Sequence, residues 1–378
     1  MAQQVFGRRW SVWMADTVLS KFPELRNRWA YDYGVVCKGI ERVYEITGEE
    51  KYFQYIKSNM DYFLLEDGSI RYYDKEAYNI DFVNNGKCFL YLYEKTKEDK
   101  YKKAADLLRE QLSEHPRTSE GGFWHKKVYA NQMWLDGLYM GQPFYAEYSK
   151  IFEDCQSHPD VLKQFELIDT HLKNPEVQLL YHGWDEKKEC FWADKETGLS
   201  ANFWGRSVGW YACALVDTLD YIQDEDTRNK LIAMVRDLAE GIVKVQSQKT
   251  GVWYQVLDQE ERYGNFPEAS CSCMFTYFLL KSIRNGYIDD NYLAYAKKAF
   301  YAITREFIEV DEKDLLNLRG TIYVSGLGGD MLRDGSYDYY ISEPRKVNSL
   351  LGIGAFLMAS VEMELHFEEL SGKADIKE

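Results

Sequence analysis

Apolar residues recur along this chain mainly at intervals of three and four positions, the spacing that one face of an α-helix produces. Only 7 of the 378 residues are proline, so few positions interrupt the pattern. The predicted helices span residues 8–21, 31–47, 50–63, 80–96, 98–113, 133–151, 158–173, 204–221, 225–247, 268–285, 290–308 and 348–369. We therefore expect an all-α protein.

The links between these helices alternate in length. Short links lie at 47–50, 96–98, 221–225 and 285–290, and most of the others are long. The long links share a loose repeat, a glycine or turn followed by aromatic residues, which is typical of a short extended piece. It occurs at residues 68–72, 122–125, 180–184, 251–254 and 320–323. This alternation indicates that the helices are arranged in pairs.

The two members of each pair differ in composition. Helices after long links have small residues near their starts, which permit close packing of inner helices. These residues are Gly34, Gly86, Gly137, Gly209, Ser270 and Gly352. Helices after short links, such as 98–113 and 225–247, have one charged face, as solvated outer helices do. Six inner and six outer helices predict an (α/α)6 barrel, one domain over 1–378, with the long loops at one end. An open solenoid of helix pairs is the alternative.

Composition and charge narrow the classes of ligand. The chain has 30 Tyr and 10 Trp, and such rings suit either stacking on sugars or a tyrosine-rich core. The net charge of −15 argues against nucleic acid, whose phosphates require a basic patch. An anionic ligand would therefore need local cations, because the overall field repels it.

The seven cysteines form no zinc pattern, since Cys271 and Cys273 have no second pair at ligand spacing. We predict no metal and no cofactor. Free thiols fit a reducing compartment, so we expect a cytoplasmic protein, with the periplasm as the alternative if a leader has been removed. No run of 18 apolar residues occurs, so we expect no membrane span. The oligomeric state stays open.

Two aspartates stand at the predicted starts of neighbouring inner helices. Asp136 follows an aromatic loop and is flanked by Trp134 and Tyr139, and Asp81 has the corresponding place on the fourth helix. Two such carboxylates can form an acid pair for glycoside chemistry. Asp is also a common helix N-cap, and spacing alone favours capping as the role of each.

Other polar residues in the same loops can bind a sugar acid. Arg206 and Trp210 are four residues apart on one helix face; the arginine can meet a carboxylate bidentately and the tryptophan can stack on a sugar ring. His125 and His182 lie in loops among aromatic residues. A histidine in such surroundings is more often a structural hydrogen-bonding group, but its recurrence beside Asp136 and Arg206 favours a functional role.

These segments resemble the unsaturated rhamnogalacturonyl hydrolases of glycoside hydrolase family 105. The matching strings are RTSEGGFWHK (117–126), QMWLDGLYMG (132–141), YHGWD (181–185), FWGRSVGWY (203–211), GVWYQ (251–255) and YDYY (337–340). They follow the order of the family and span nearly the whole chain. The resemblance implies an (α/α)6 barrel that needs no metal.

The resemblance also implies an activity. The family removes a 4,5-unsaturated uronic acid from the non-reducing end of lyase products, by protonating C4 of the double bond and adding water at C5. Asp136 matches the acid and Asp81 the assisting aspartate. The residues that match pocket positions or lie within the matching strings are Tyr31, His125, Lys126, Trp134, His182, Arg206, Trp210 and Tyr340.

Two departures from the family pattern concern the pocket edge, namely Asp32 in place of His and Ile80 in place of Met. They leave the sugar open: the alternative is an unsaturated glucuronyl hydrolase acting on ulvan, arabinogalactan or glycosaminoglycan fragments. A non-catalytic carbohydrate-binding barrel and another helical-barrel enzyme, such as an epimerase or an inverting glycosidase, are the remaining alternatives.

Overall fold

The computed structural model describes the backbone of residues 4–5 and 8–374 and the side chains of residues 8–368. Its helices in this part of the chain are α1 (Trp10–Lys21), α2 (Tyr31–Thr47), α3 (Glu50–Phe63), α4 (Gly86–Thr96), α5 (Asp99–Glu114), α6 (Leu135–Phe152), α7 (His158–Leu172), α8 (Gly205–Thr218), α9 (Glu225–Lys244), α10 (Ala269–Arg284), α11 (Leu293–Glu306), α12 (Tyr337–Ser342) and α13 (Leu350–Ala374). Short 3-10 turns occupy Lys75–Ala77, Ile80–Val83 and Asp290–Tyr292.

Six of these helices form a closed inner ring in the order α2, α4, α6, α8, α10 and α13, and α13 contacts α2 to complete it. The helices α1, α3, α5, α7, α9 and α11 pack against the outside of this ring. The predicted (α/α)6 barrel is therefore confirmed. The solenoid alternative is wrong, because the first and last inner helices are in contact.

The inner and outer helices differ in burial, as their composition predicts. Every residue of α8 is buried, whereas α9 buries one face and leaves its charged face to solvent. Small residues bring the inner helices together: a Cβ at Gly209 would lie 2.7 Å from Sδ of Met274, and one at Gly354 would lie 2.6 Å from the carbonyl oxygen of Val35. The barrel interior is therefore closely packed at these contacts.

The long loops, at residues 22–30, 64–85, 115–134, 173–204, 245–268 and 307–349, all precede an inner helix and so gather at one end of the barrel. Neighbouring loops are joined by short antiparallel strands, such as Gln132–Trp134 with Gly183–Asp185. The predicted extended pieces at 180–184 and 320–323 are confirmed in part by strands at Leu179–Leu180, Gly183–Asp185 and Thr321–Ile322.

Backbone hydrogen bonds tie the beginning of an inner helix to the loop that follows in the ring. The donors are the amides of the first residues of three inner helices, Leu135, Gly205 and Ala269. They donate to the carbonyls of His182 (3.1 Å), Gln255 (2.9 Å) and Gly320 (3.1 Å), respectively. The amide of Ile80 likewise donates to the carbonyl of His125 at 3.2 Å. These four bonds link five consecutive loops, from 64–85 to 307–349, at the mouth of the barrel.

One predicted boundary is wrong for a local reason. The helix expected over 80–96 begins at Gly86, and Ile80–Val83 forms a 3-10 turn. The side chain of Asn85 accepts from the amide of Gly34 in α2, and that of Asn84 donates to the carbonyl of Tyr31. These side chains compete with helical pairing. The structure also adds α12, which the pattern did not predict.

The last inner helix combines length with apolar composition. Within the described residues, Leu350–Glu368 alone is long and apolar enough to cross a membrane, with a mean hydropathy of 1.4. In this fold it belongs to α13, packed between α2 and α10, and most of the segment is buried inside the protein. Its composition is that of a core helix. All seven cysteines are free.

Candidate active site

Asp136 is the second residue of α6, at the end of the barrel where the long loops gather. Its Oδ2 lies 3.3 Å from Nε2 of His182, and both atoms are buried without a hydrogen-bonding partner among the described residues. The cap position of α6 is Trp134, so the capping role that spacing favoured for Asp136 is wrong. Its carboxylate is left available to a ligand.

His182 is oriented by Tyr340. Nδ1 of this fully buried histidine lies 2.7 Å from the hydroxyl of Tyr340. Burial raises the pKa of Tyr340 well above its usual value, so the phenol keeps its proton. We assign Tyr340 as the donor and Nδ1 as the acceptor, because the phenol has no other acceptor in the described part of the chain. Nε2 of His182, which faces Asp136, then carries a proton.

Asp81 is a second carboxylate at the same end, in the 3-10 turn that precedes α4. Its Oδ2 is 2.7 Å from Nζ of Lys126, and its Oδ1 is 3.6 Å from Nε2 of His125. Burial raises the pKa of Asp81, but the charges of Lys126 and His125 lower it more, and the net pKa is below its usual value. Asp81 does not cap its turn either, since Asn79 does so by accepting from the amide of Asp81.

His125 contributes little positive charge at neutral pH. Burial lowers its pKa to about 4, although Asp81 acts in the opposite direction. Lys126 is therefore the cation that keeps Asp81 ionised. Asp136 has no lysine or arginine within 4 Å among the described side chains. The two carboxylates stand in different electrostatic environments, the condition under which one acts as an acid and the other stays an anion.

Trp134 connects the surroundings of the two aspartates. Its ring stacks on His125 at 4.3 Å between centroids and on Tyr129 at 4.8 Å, and it meets His182 edge-on at 5.3 Å. Only 5% of Trp134 is exposed, so these contacts cover most of its ring. Trp134 therefore fixes the orientation of both histidines.

Arg206 places a buried positive charge in the site. Its Nη1 donates to the carbonyl of Ile322 at 2.9 Å and its Nη2 to that of Tyr323 at 3.3 Å. Nε has no partner, and the guanidinium forms no ion pair with any described carboxylate within 4 Å. Burying a guanidinium without an anion is costly, so this group is suited to a ligand that brings a carboxylate.

Tyr31 lies among these charges. Burial raises the pKa of its phenol, Asp81 and Asp136 raise it further, and Arg206 opposes them. The phenol therefore keeps its proton and stays a hydrogen-bond donor among these charges. Trp210 contacts Tyr31 edge-on at 6.4 Å and stacks on Tyr139 at 4.7 Å, and only 1% of it is exposed. Trp210 packs against Tyr31, and its contact with a sugar stays a prediction.

Sequence reasoning missed two residues that shape this site. The ring of Trp204 packs against that of His182, with 4.7 Å between centroids, and the guanidinium of Arg206 lies over the same ring at 5.2 Å from its centroid. Glu268 is fully buried and accepts from the amide of Ile322 at 3.0 Å, which fixes the carbonyl that Arg206 binds. Trp204 stands two residues before Arg206, which was a usable signal. Glu268 has no comparable signal in the sequence.

The predicted residues thus come together at one end of the barrel. Asp136, Asp81, Tyr31 and Arg206 present charged or donating groups; the others position them. No group of three or more His, Cys, Asp and Glu side chains suited to a metal ion occurs in the part of the chain that is described. The arrangement offers a carboxyl group with no lysine or arginine beside it, a second carboxylate held as an anion by Lys126, and a cation for an acidic ligand.

Comparison with known proteins adds a family. The model for Glycosyl Hydrolase Family 88 matches residues 8–367. The solved structure of a glycoside hydrolase from family 105 of C. acetobutylicum ATCC 824 is 45% identical, with a TM-score of 0.93, and the match covers 95% of this chain and 100% of that chain.

Two further proteins are more distant. The unsaturated rhamnogalacturonyl hydrolase YesR of Bacillus subtilis is 28% identical over 270 residues, which are 70% of this chain and 74% of that protein. The unsaturated glucuronyl hydrolase of Bacillus sp. GL1, responsible for the degradation of glycosaminoglycan, has a TM-score of 0.65 at 15% identity. That match covers 94% of this chain and 95% of the other, and shows a shared fold.

Proposed function

Because the chain belongs to Glycosyl Hydrolase Family 88, and so is a glycosidase that acts on an oligosaccharide, we propose that it removes a 4,5-unsaturated uronic acid from lyase-generated fragments of rhamnogalacturonan. The observation that carries the proposal is the buried Arg206, which has no carboxylate partner among the described residues. It lies at the same end of the barrel as Asp136, whose Oδ2 accepts no hydrogen bond from the described residues. An unsaturated uronate has a carboxylate for the first residue and a reactive double bond for the second.

The reaction begins with proton transfer to carbon. Asp136, in its acid form, gives its proton to C4, and the electron pair of the C4=C5 bond forms the new C4–H bond. The resulting cation at C5 is stabilised by the ring oxygen. Water then attacks C5 and gives a proton to the Asp136 carboxylate, so that the acid is restored. Such a positioned acid contributes about 10²–10⁴-fold to a rate.

Hydrolysis follows from this hydration. The C5 hemiketal opens by cleavage of the bond between C5 and the ring oxygen, which leaves a ketone at C5 and a hemiacetal at C1. The hemiacetal releases the neighbouring sugar as an alcohol and becomes an aldehyde. One water is consumed and no metal is required.

The other residues act on charge and orientation. Asp81, kept ionised by Lys126, is an anion that stabilises the cation at C5. Nε2–H of His182 faces Asp136 and holds its carboxylate in place after the proton has left. Arg206 binds the uronate carboxylate, and Tyr31 donates a hydrogen bond to the same sugar.

The choice of rhamnogalacturonan is supported by YesR, whose name states that substrate. The unsaturated glucuronyl hydrolase of Bacillus sp. GL1 supports the alternative, fragments that carry glucuronate. Relative kcat/KM values on lyase products from pectin, ulvan, arabinogalactan and glycosaminoglycan separate the two.

The activity itself is tested with Asp136→Asn. We expect kcat to fall by about 10²–10⁴-fold, because the amide has no acidic proton to give. The measurement is the loss of ultraviolet absorbance of the unsaturated uronate, with thermal unfolding to show that the fold is kept. The control is Asp311→Asn, on a surface loop where the carboxylate pairs with Lys21. Undiminished turnover by Asp136→Asn, or binding by the wild type with no loss of the double bond, contradicts the proposal.

A further inference from the structure

A groove of about 500 Å³ lies beside the site, between the loop at 22–30 and the loop at 307–349. Its lining includes Arg26, Arg28, Asp32, Lys346 and Asn348. The lining has three basic side chains, Arg26, Arg28 and Lys346, against two acidic ones, Glu24 and Asp32, on a chain whose net charge is −15. Polar grooves of this size admit one or two sugar units.

The groove is adjacent to the candidate active site. Lys346 stands on the strand that pairs with Thr321–Ile322, and its Nζ lies 5.3 Å from the centroid of the Tyr323 ring. The carbonyl of Tyr323 accepts from Arg206. On the opposite side, Asp32 follows Tyr31 directly in the chain, and the charge of Lys346 reaches the Asp32 carboxylate. The groove therefore adjoins Arg206 and Tyr31, two residues of the candidate active site.

The charges in the groove are not equally available. Arg28 is paired with Asp32 at 2.7 Å, and Arg26 with Glu24 at 2.9 Å. Lys346 is exposed and forms no ion pair within 4 Å with any carboxylate of the described side chains. Lys346 is therefore the cation in the groove that is free to bind an added anion.

Tyr323 supplies the other half of a sugar site. The residue is 51% exposed. Its backbone is fixed by the bond from Arg206 and by its own amide, which donates to the carbonyl of Pro344 at 2.7 Å. A held, exposed aromatic ring is a surface on which the apolar face of a pyranose stacks.

We propose that Tyr323 and Lys346 form a subsite for a second uronic acid of the substrate, on the side of the leaving group. The subsite rests on the function proposed above. Tyr323 stacks on the sugar, Lys346 binds its carboxylate, and Oδ1 of Asp32, which has no partner among the described residues, accepts from a hydroxyl. The preferred substrate is then an oligosaccharide with at least two carboxylates, longer than a disaccharide.

The test uses two products of one lyase, an unsaturated disaccharide with one carboxylate and a tetrasaccharide with two. Lys346→Gln keeps the length of the side chain and removes its charge. We expect KM for the tetrasaccharide to rise roughly fivefold more than KM for the disaccharide, the size of an exposed ion pair. The matched control is Lys230→Gln on α9, which removes an exposed lysine outside the groove and leaves both KM values as in the wild type.

Salt gives a second readout. The wild-type KM for the tetrasaccharide should rise more steeply with ionic strength than KM for the disaccharide, and Lys346→Gln should remove the difference. An equal effect of Lys346→Gln on the two substrates, or none on the tetrasaccharide, overturns the subsite. Failure of the proposed function is distinguishable, because then the wild type turns over neither product. Binding of a saturated acidic tetrasaccharide, measured by calorimetry, still tests the subsite in that case.

Discussion

Two aspartate–lysine pairs in this barrel have almost the same geometry. Asp81 and Lys126 are 2.7 Å apart at the loop end, and Asp217 and Lys281 are 2.8 Å apart within the ring of inner helices. In each aspartate, burial raises the carboxyl pKa, the lysine and other neighbouring groups together lower it more, and the net pKa falls below its usual value. By charge alone the two pairs cannot be told apart.

Their surroundings differ. Lys281 also donates to Asp220 at 2.6 Å and to the hydroxyl of Tyr277 at 3.0 Å, and it joins α10 to α8. Its side chain is 3% exposed and that of Asp217 is 4% exposed, whereas Lys126 and Asp81 are 24% and 11% exposed. The inner pair is enclosed and connects helices, and the outer pair can be reached by a ligand. A shifted carboxyl pKa therefore becomes evidence for a site only together with access.

The largest effect is expected for Lys281→Met, which removes one member of the enclosed pair. The free energy of unfolding should fall by about 3–5 kcal/mol, because Asp217 is left as an uncompensated buried charge. Chemical denaturation measures the change. The double variant Asp217→Leu with Lys281→Met should recover most of the loss, since an apolar pair replaces an ionic one. If the single variant unfolds like the wild type, the pair does not connect α8 and α10 as described.

Lys126→Gln tests the accessible pair through pH. Lys126 holds the pKa of Asp81 low, so Asp81 stays ionised as pH falls, and removal of the lysine raises that pKa. The acid limb of the kcat/KM profile should therefore move to higher pH by about 1–3 units, the usual effect of one close opposite charge. The control is Lys127→Gln, the next residue, whose exposed ammonium bonds the carbonyl of Glu76. An unmoved acid limb would show that Asp81 is not the anion of the reaction.

The smallest effect concerns Lys87, a buried residue that belongs to neither pair. It is 2% exposed, its Nζ has no hydrogen-bond partner among the described residues, and burial lowers its pKa to about 8. Between pH 8 and pH 10.5 the folded state has therefore released the Lys87 proton, while the unfolded state keeps it. The free energy of unfolding consequently falls as pH is lowered through this range. Lys87→Met should stabilise the protein by about 1–3 kcal/mol at pH 7.

The gain should shrink as pH rises toward 10, which denaturation at the two pH values measures. The Lys87 ammonium lies 3.7 Å from the centroid of the Tyr139 ring, and this cation–π contact offsets part of the cost of burial. A loss of stability in Lys87→Met at pH 7 would mean that the contact outweighs that cost. Either result leaves the Asp81 pair untouched, because Lys87 belongs to α4, after the turn that holds Asp81.

Much of the fold could be predicted from periodicity. The alternation of link lengths and the glycines of the inner helices led to the barrel, because both are local properties of the chain. The start of α4 could not be predicted, since it depends on hydrogen bonds from Asn84 and Asn85 to a different helix. α12 is six residues long and is fixed by its Ser336 cap, too short to give a periodic pattern.

The candidate site followed from motif resemblance more than from spacing. Spacing favoured capping for Asp136 and Asp81, and the structure gives those cap positions to Trp134 and Asn79. The difference arises because capping depends on a shift of one or two residues, which no pattern resolves. The partners of Arg206 could not be predicted either. Its guanidinium donates to the carbonyls of Ile322 and Tyr323, which are more than a hundred positions away in the chain.

The backbone hydrogen bonds that tie Leu135, Gly205 and Ala269 to the following loops limit how such a protein can change its substrate specificity. Each loop holds the helix before it in the ring, so a loop transplanted whole from a relative would displace a neighbour that it does not replace. Tolerated variation should instead concentrate at loop tips that make no such bond, such as Val128, which is 78% exposed. Substrate range in this architecture should therefore evolve by substitution at the rim rather than by exchange of entire loops.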